Sequence, residues 1–163
     1  KLLGETINLT KTYDLAICLE AAEHEKEKFS DLIVENLTKA SKVILFSAAL
    51  PGQGGTNHIN EQPPEFWQKK FEDHRYTQFD IIRPIIWDDP AVAWWYKQNI
   101  FLYVHEESIE ALKLLDHANS LTQKHIIHPE CLSSKINELD IDNASVTNLS
   151  KALLRRIKKK LMR

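Results

Sequence analysis

Two short apolar runs separated by a helical stripe constrain the fold of this chain most strongly. Residues 13–19 (YDLAICL) and 42–50 (KVILFSAAL) consist almost entirely of apolar side chains, which is typical of strands buried on both faces of a parallel sheet. Six residues between them recur at the spacing of an amphipathic helix: Phe29, Leu32, Ile33, Asn36, Leu37 and Ala40. Strand, helix and strand in this order predict a β-α-β unit with parallel strands.

The chain continues with further α/β elements. A loop after the second run, PGQGGTNHINEQ, holds three of the four glycines in the sequence. Four elements are predicted beyond it: a helix over 65–74, a strand over 76–87 bent at Pro84, a short helix after Pro90, and a strand over 99–104. The fold class is therefore α/β.

The C-terminal part of the chain has a weaker core signal. We predict two domains, residues 1–104 and a helical extension over residues 105–163. Three segments are expected in the extension: a helix over 106–119, an extended stretch over 124–130, and a basic helix over 149–163. The last segment carries seven Lys and Arg residues and no acid, whereas the whole chain has a net charge of −2.

Charge and cysteine content exclude several classes of protein. Because the basic charge is confined to the last helix, we expect no nucleic-acid partner, although that helix suits contact with an anionic surface. Cys18 and Cys131 are far apart and form no C-x-x-C pair. This argues against a disulfide scaffold or a zinc module and predicts a reducing, cytoplasmic setting.

Residues 13–24 (YDLAICLEAAEH) resemble the fourth strand of class I S-adenosylmethionine-dependent methyltransferases and the E-x-x-E-H segment beyond it. Residues 42–50 match the fifth strand of that family, and the two later strands match its sixth and seventh. The resemblance covers residues 5–104. It implies the C-terminal half of a Rossmann-like methyltransferase sheet in the order 4-5-7-6, with the last strand antiparallel.

The resemblance also implies an activity, the transfer of a methyl group from S-adenosylmethionine to an oxygen or nitrogen of a small-molecule acceptor such as a sugar. It places Cys18, Leu19 and Glu20 beside the cofactor, at the carboxyl end of a strand. No G-x-G precedes Tyr13, so we expect residues 1–163 alone to be inactive. We also expect the edge of the strand at 13–19 to be covered by upstream residues or by another chain.

A metal site is a further implication of the resemblance. The E-x-x-E-H segment binds Mg²⁺ in ubiquinone-pathway O-methyltransferases and in small-RNA 2′-O-methyltransferases, and a later histidine completes the set in the RNA enzymes. The corresponding ligands here are Glu20, Glu23, His24 and His58. A helix beginning near Glu20 would place the first three on one face. Alternatively, the acids only offset a helix dipole and the histidines are ordinary polar residues.

The glycine-rich loop has two interpretations as well. Its amides either cradle a phosphate or simply allow the chain to turn. Because such loops border the acceptor site in this fold, Asn60 and Glu61 are candidate substrate contacts, and His24 and His58 are candidate catalytic bases. Two other functions remain open: a metal-dependent RNA 2′-O-methyltransferase, and a non-catalytic binding module derived from the fold.

Overall fold

The computed structural model of the chain describes residues 4–110, 112, 113 and 126–139, together with residues 146, 147, 150, 151, 153, 154 and 157. The chain divides after Ile126 into two compact units. The first unit has four strands: β1 (Ala16–Leu19), β2 (Val43–Ser47), β3 (Tyr76–Phe79) and β4 (Phe101–His105). Its helices are α1 (Ser30–Ala40), α2 (Pro64–Glu72), α3 (Arg83–Ile86), α4 (Trp94–Asn99) and α5 (Glu106–Ile109). The second unit contains α6 (Pro129–Leu139).

The four strands form one mixed sheet in the order β1-β2-β4-β3. Strands β1 and β2 are parallel, with Cys18 opposite Phe46. Strand β4 runs antiparallel to both of its neighbours, β2 and β3. The predicted α/β class, the predicted order of these strands and the antiparallel direction of the last one are therefore confirmed.

The main core lies on one face of the sheet. Alternate residues of a strand point to the same face, and the inward set packs against α1 and α2. The principal members of this core are Ile33, Val34, Leu37, Ile44, Phe46, Trp67, Phe71, Phe101 and Tyr103. Phe71 stacks on Tyr103 with ring centroids 4.0 Å apart. The helical stripe predicted from the sequence thus covers the strands that flank it.

The opposite face is covered unevenly. Phe79 and Val104 are buried there beneath Ile109. Near β1 the cover ends and Ile17 is 61% exposed, so the prediction that this strand is buried on both faces is wrong. Strand β1 is also at the edge of the sheet. An edge of this kind presents unpaired backbone groups beside apolar side chains.

The strand predicted over 76–87 is wrong beyond Phe79. Residues Arg83–Ile86 form the short helix α3, because Pro84 has no amide hydrogen for a sheet but fits the first turn of a helix. The buried Arg83 holds this turn in place. It pairs with Asp80, donates to the backbone oxygen of Gln98 at 3.1 Å, and lies 4.3 Å from the ring centroid of Phe101.

Two helix boundaries also differ from the predictions. The Asp89 carboxylate accepts a hydrogen bond from the Ala91 amide at 2.8 Å, which makes a turn, and α4 begins only at Trp94. The extended stretch predicted over 124–130 is wrong at its end, since α6 begins at Pro129. The His128 side chain accepts from the Glu130 amide at 3.3 Å, in the manner of a cap.

The predicted C-terminal extension is described only in part. Helix α5 ends at Ile109 and residues 110, 112 and 113 form a turn, so the helix predicted over 106–119 is wrong there. Residues 111 and 114–119 lie outside the described residues. Most of the predicted basic helix over 149–163 lies outside them too. In the ranges that are described, no helix combines the length and the apolar character needed to cross a membrane.

Candidate metal centre

The candidate site lies at the carboxyl ends of β1 and β2. Because these strands are parallel, the segments that follow them start from the same edge of the sheet. The Glu20 amide donates to the backbone oxygen and to the hydroxyl of Ser47, both at 3.0 Å. The loop after β2 then returns, and the amides of Ile59 and Asn60 donate to the backbone oxygen of Glu23, each at 3.0 Å. These hydrogen bonds bring the E-x-x-E-H segment to the His58 loop.

The backbone at Glu20 separates the two glutamates of this segment. Glu20 has a left-handed conformation, with φ of 47°, which a residue with a side chain adopts only at an energetic cost. A 3-10 turn follows at Ala22–His24. No helix begins near Glu20, so the premise that Glu20, Glu23 and His24 share one helical face is wrong.

The Glu20 carboxylate is held by side-chain amides. Asn99 donates to Oε1 at 3.1 Å, and Gln53 donates to Oε2 at 3.2 Å. The Gln53 oxygen in turn accepts from Asn99 at 2.9 Å and from Gln98 at 3.3 Å. Burial raises the pKa of Glu20, and its hydrogen bonds with Asn99, Ser47 and Gln53 oppose the rise. The network joins the end of β1, the glycine-rich loop and the end of α4.

The Glu23 carboxylate has the opposite surroundings. The residue is fully buried, and neither side-chain oxygen makes a hydrogen bond. Burial raises the pKa of Glu23 to about 7. The charge of Glu20 adds to the rise, while the backbone amides of Glu23 and Ala49 oppose it without reaching hydrogen-bonding geometry. Such a group is costly in a folded protein unless a ligand or an ion satisfies it.

Two histidines face this carboxylate. Glu23, His24 and His58 each offer a ligand atom, and the three atoms lie within 4.8 Å of one another. His58 Nε2 is 3.9 Å from Glu23 Oε1, and the two imidazole centroids are 4.9 Å apart. Neighbouring ligands of a tetrahedral ion lie about 3.3 Å apart at typical bond lengths, so the three side chains would have to approach one another to share an ion. The structure brings together three of the four predicted metal ligands, and Glu20 lies outside this group.

Glycines shape the loop around His58. A Cβ atom at Gly55 would lie 2.4 Å from two atoms of the His58 ring, so the ring occupies space that any side chain at residue 55 would fill. The amides of Gly52 and Gly54 donate to the two carboxylate oxygens of Glu61 at 2.8 and 2.6 Å. The cradle that the sequence suggested for a phosphate therefore holds a carboxylate of the chain itself.

The two predicted substrate contacts have internal partners. Asn60 is buried. Its side-chain amide nitrogen donates to the Ser30 hydroxyl at 3.2 Å, and its side-chain oxygen accepts from the Gln62 side chain at 2.9 Å. Glu61 accepts from the glycine amides, and its Oε1 lies 3.1 Å from His58 Nδ1. A substrate contact by either residue stays a prediction.

The predicted cofactor contacts occupy the end of β1. Cys18 is buried in the main core, and Leu19 is half-buried. Burial raises the pKa of the Cys18 thiol to about 12, and the charges of Glu23 and Glu20 add to the effect. The thiol is therefore protonated near neutral pH and is no nucleophile. Contact between the cofactor and Cys18, Leu19 or Glu20 stays a prediction.

Sequence reasoning missed the amides that hold Glu20. Gln53 lies inside the glycine-rich loop, and Asn99 was assigned to the start of a strand although it ends α4. Both are buried polar residues beside apolar segments. The signal in the sequence was their place next to apolar segments, because a side-chain amide buried with such a segment requires a hydrogen-bond partner.

Comparison with known proteins identifies no relative. No protein-family model matches the chain. No curated protein and no solved structure matches it either.

Proposed function

We propose that this chain is part of a Rossmann-like class I methyltransferase that moves a methyl group from S-adenosylmethionine to a hydroxyl of a small molecule. The observation that carries the proposal is the buried Glu23 carboxylate, which has no hydrogen bond and faces His24 and His58 at the carboxyl edge of a parallel strand pair. Ligands of open α/β sheets bind at that edge. The strand order and the antiparallel β4 support the same fold.

Different residues of the chain would contact the methyl donor and the methyl acceptor. Leu19 and Glu20 would line the donor site, and the amide network on Glu20 would hold that wall in place. Where no cation occupies its lone pair, the exposed His24 would accept the proton as the acceptor oxygen displaces the sulfonium sulfur. The products are a methyl ether and S-adenosylhomocysteine. Alignment of the two reactants supplies much of the rate gain in such a displacement.

A divalent cation fits the group formed by Glu23, His24 and His58. One carboxylate and two imidazoles suit Mn²⁺ or Zn²⁺ better than the Mg²⁺ that the sequence suggested, because Mg²⁺ prefers oxygen ligands. A cation bound there would lower the pKa of an acceptor hydroxyl. It would also compensate the negative charge of Glu23, which the fold leaves without a hydrogen bond.

One observation favours the RNA 2′-O-methyltransferase alternative. His58 lies with Glu23 and His24, as the later histidine of those enzymes would. Acceptor assays with a short single-stranded RNA and with sugars separate the two functions. Methylation of a ribose 2′-hydroxyl, with no methylation of sugars, would replace the small-molecule proposal.

Calorimetric titration with S-adenosylhomocysteine tests the methyltransferase proposal. Two proteins are compared: residues 1–163, and the same chain with whatever its gene encodes before Lys1. We expect micromolar affinity, about −8 kcal/mol, only for the longer protein, with a strand and a G-x-G in its added part. Micromolar binding by residues 1–163 would show that the cofactor site is misplaced. A longer protein without that segment, or without affinity for the ligand, would contradict the proposal.

We place this activity in the cytoplasm. The support is that Cys18 is a buried free thiol, as is usual in a reducing compartment.

A further inference from the structure

The two ring nitrogens of His58 have different neighbours. Nδ1 lies 3.1 Å from Glu61 Oε1, within hydrogen-bonding distance. Nε2 lies 3.9 Å from Glu23 Oε1, too far for a hydrogen bond. A neutral imidazole carries its proton on one nitrogen and offers a lone pair on the other. The partner of Nδ1 therefore decides whether Nε2 is available as a ligand.

Glu61 is itself fixed in position by the backbone. Its Oε2 accepts from the Gly52 amide at 2.8 Å, and its Oε1 accepts from the Gly54 amide at 2.6 Å. An ionised carboxylate only accepts hydrogen bonds, so the contact with His58 requires a proton on Nδ1. The Nε2 lone pair is then free and faces Glu23.

We infer that Glu61 is a positioning residue for the metal centre: it selects the Nδ1–H tautomer of His58 and so presents Nε2 to the cation. A carboxylate that orients a ligating histidine is a common device in metal sites, and its removal typically lowers metal affinity by about 10- to 100-fold. The role rests on the metal site proposed above and is independent of methyl transfer. It differs from the substrate contact predicted for Glu61.

The tautomer of His58 in the metal-free protein is the first test. Long-range ¹H–¹⁵N correlation spectra at pH 8 distinguish the two neutral forms, and the spectrum of His58→Gln assigns the signals among the seven histidines. We expect the Nδ1–H form in the wild-type protein. The Nε2–H form would overturn the inference, whatever the protein binds.

Titration with Mn²⁺ is the second test, with Glu61→Gln as the matched control for Glu61→Ala. The alanine variant loses the acceptor for Nδ1–H, so we expect its Mn²⁺ affinity to fall about 10- to 100-fold. The glutamine variant keeps one acceptor oxygen and should recover most of that loss. Wild-type affinity in a folded Glu61→Ala would overturn the inference. A wild-type protein that binds neither Mn²⁺ nor Zn²⁺ would refute the metal site, and the tautomer would still decide whether Glu61 orients His58.

Discussion

Glu20 and Glu23 lie three residues apart at the end of β1, and their surroundings are opposite. The Glu20 carboxylate accepts hydrogen bonds from Asn99 and Gln53, whereas the Glu23 carboxylate is buried with none. The fold therefore uses the first carboxylate to join three segments and leaves the second available to a ligand. Two identical side chains in one short motif thus acquire different roles through the backbone that carries them.

The strongest test of this difference between Glu20 and Glu23 is to replace each carboxylate in turn and to titrate the variants with Mn²⁺. We expect Glu23→Gln to lower Mn²⁺ affinity by about a hundredfold or more, since it removes the only carboxylate of the proposed donor set. Isothermal titration calorimetry measures the change.

Glu20→Gln is the matched control for that experiment. Because the Glu20 oxygens accept from amides of the protein, we expect Mn²⁺ affinity within about threefold of wild type, roughly 0.6 kcal/mol. An equal loss in both variants would restore Glu20 as a ligand and end the distinction between the two residues.

The free energy of unfolding should depend more on Glu20 than on Glu23, which is the reverse of the order expected for metal affinity. Glu20→Met removes the acceptor of two side-chain amides, so we expect the free energy of unfolding to fall by about 2 kcal/mol. Glu23→Met removes a desolvated carboxylate and breaks no hydrogen bond. At pH 8, without metal, it should leave the protein as stable as wild type or about 1 kcal/mol more stable. Urea unfolding of both variants provides the measurement, and equal destabilisation would contradict the comparison.

A smaller effect is expected in the pH dependence of the metal-free protein. The pKa of Glu23 is raised from 4.5 to about 7, so between these values the folded protein retains a proton that the unfolded chain has released. Stability then falls as the pH rises through this window. Glu23→Met should reduce the slope and leave a remainder from Glu20, whose pKa is also raised. An unchanged slope would show that Glu23 is ionised throughout.

Much of the sheet could be predicted from the sequence. The two apolar runs contain β1 and β2, because alternate apolar side chains such as Cys18 and Phe46 join the core on one face of the sheet. The period of the intervening stripe identifies α1 for the same reason. Prediction failed where one residue decides the backbone. Pro84 begins a helical turn, although its apolar neighbours suggest a strand.

The candidate site was predicted less completely. Spacing alone suggested that Glu20, Glu23 and His24 act together, but the left-handed backbone at Glu20 and the 3-10 turn after it replace the expected helix. The partnership of Glu61 with His58 depends on two glycine amides that fix the carboxylate. Neither effect has a periodic pattern in the sequence, because each arises from one turn and its hydrogen bonds.

The packing of His58 on Gly55 bears on how substitutions in the loop should be interpreted. A methyl group at residue 55 would overlap the imidazole, so even alanine there acts on the histidine. At Gly52, by contrast, a Cβ atom would meet no other atom within 4 Å. Alanine there would destabilise the loop mainly because the backbone has a positive φ of 84°. A saturation mutational scan scored for metal retention should rank Gly55 with the proposed ligands, although glycine has no side chain to offer a cation. Intolerance at that position would reflect the ring it leaves room for.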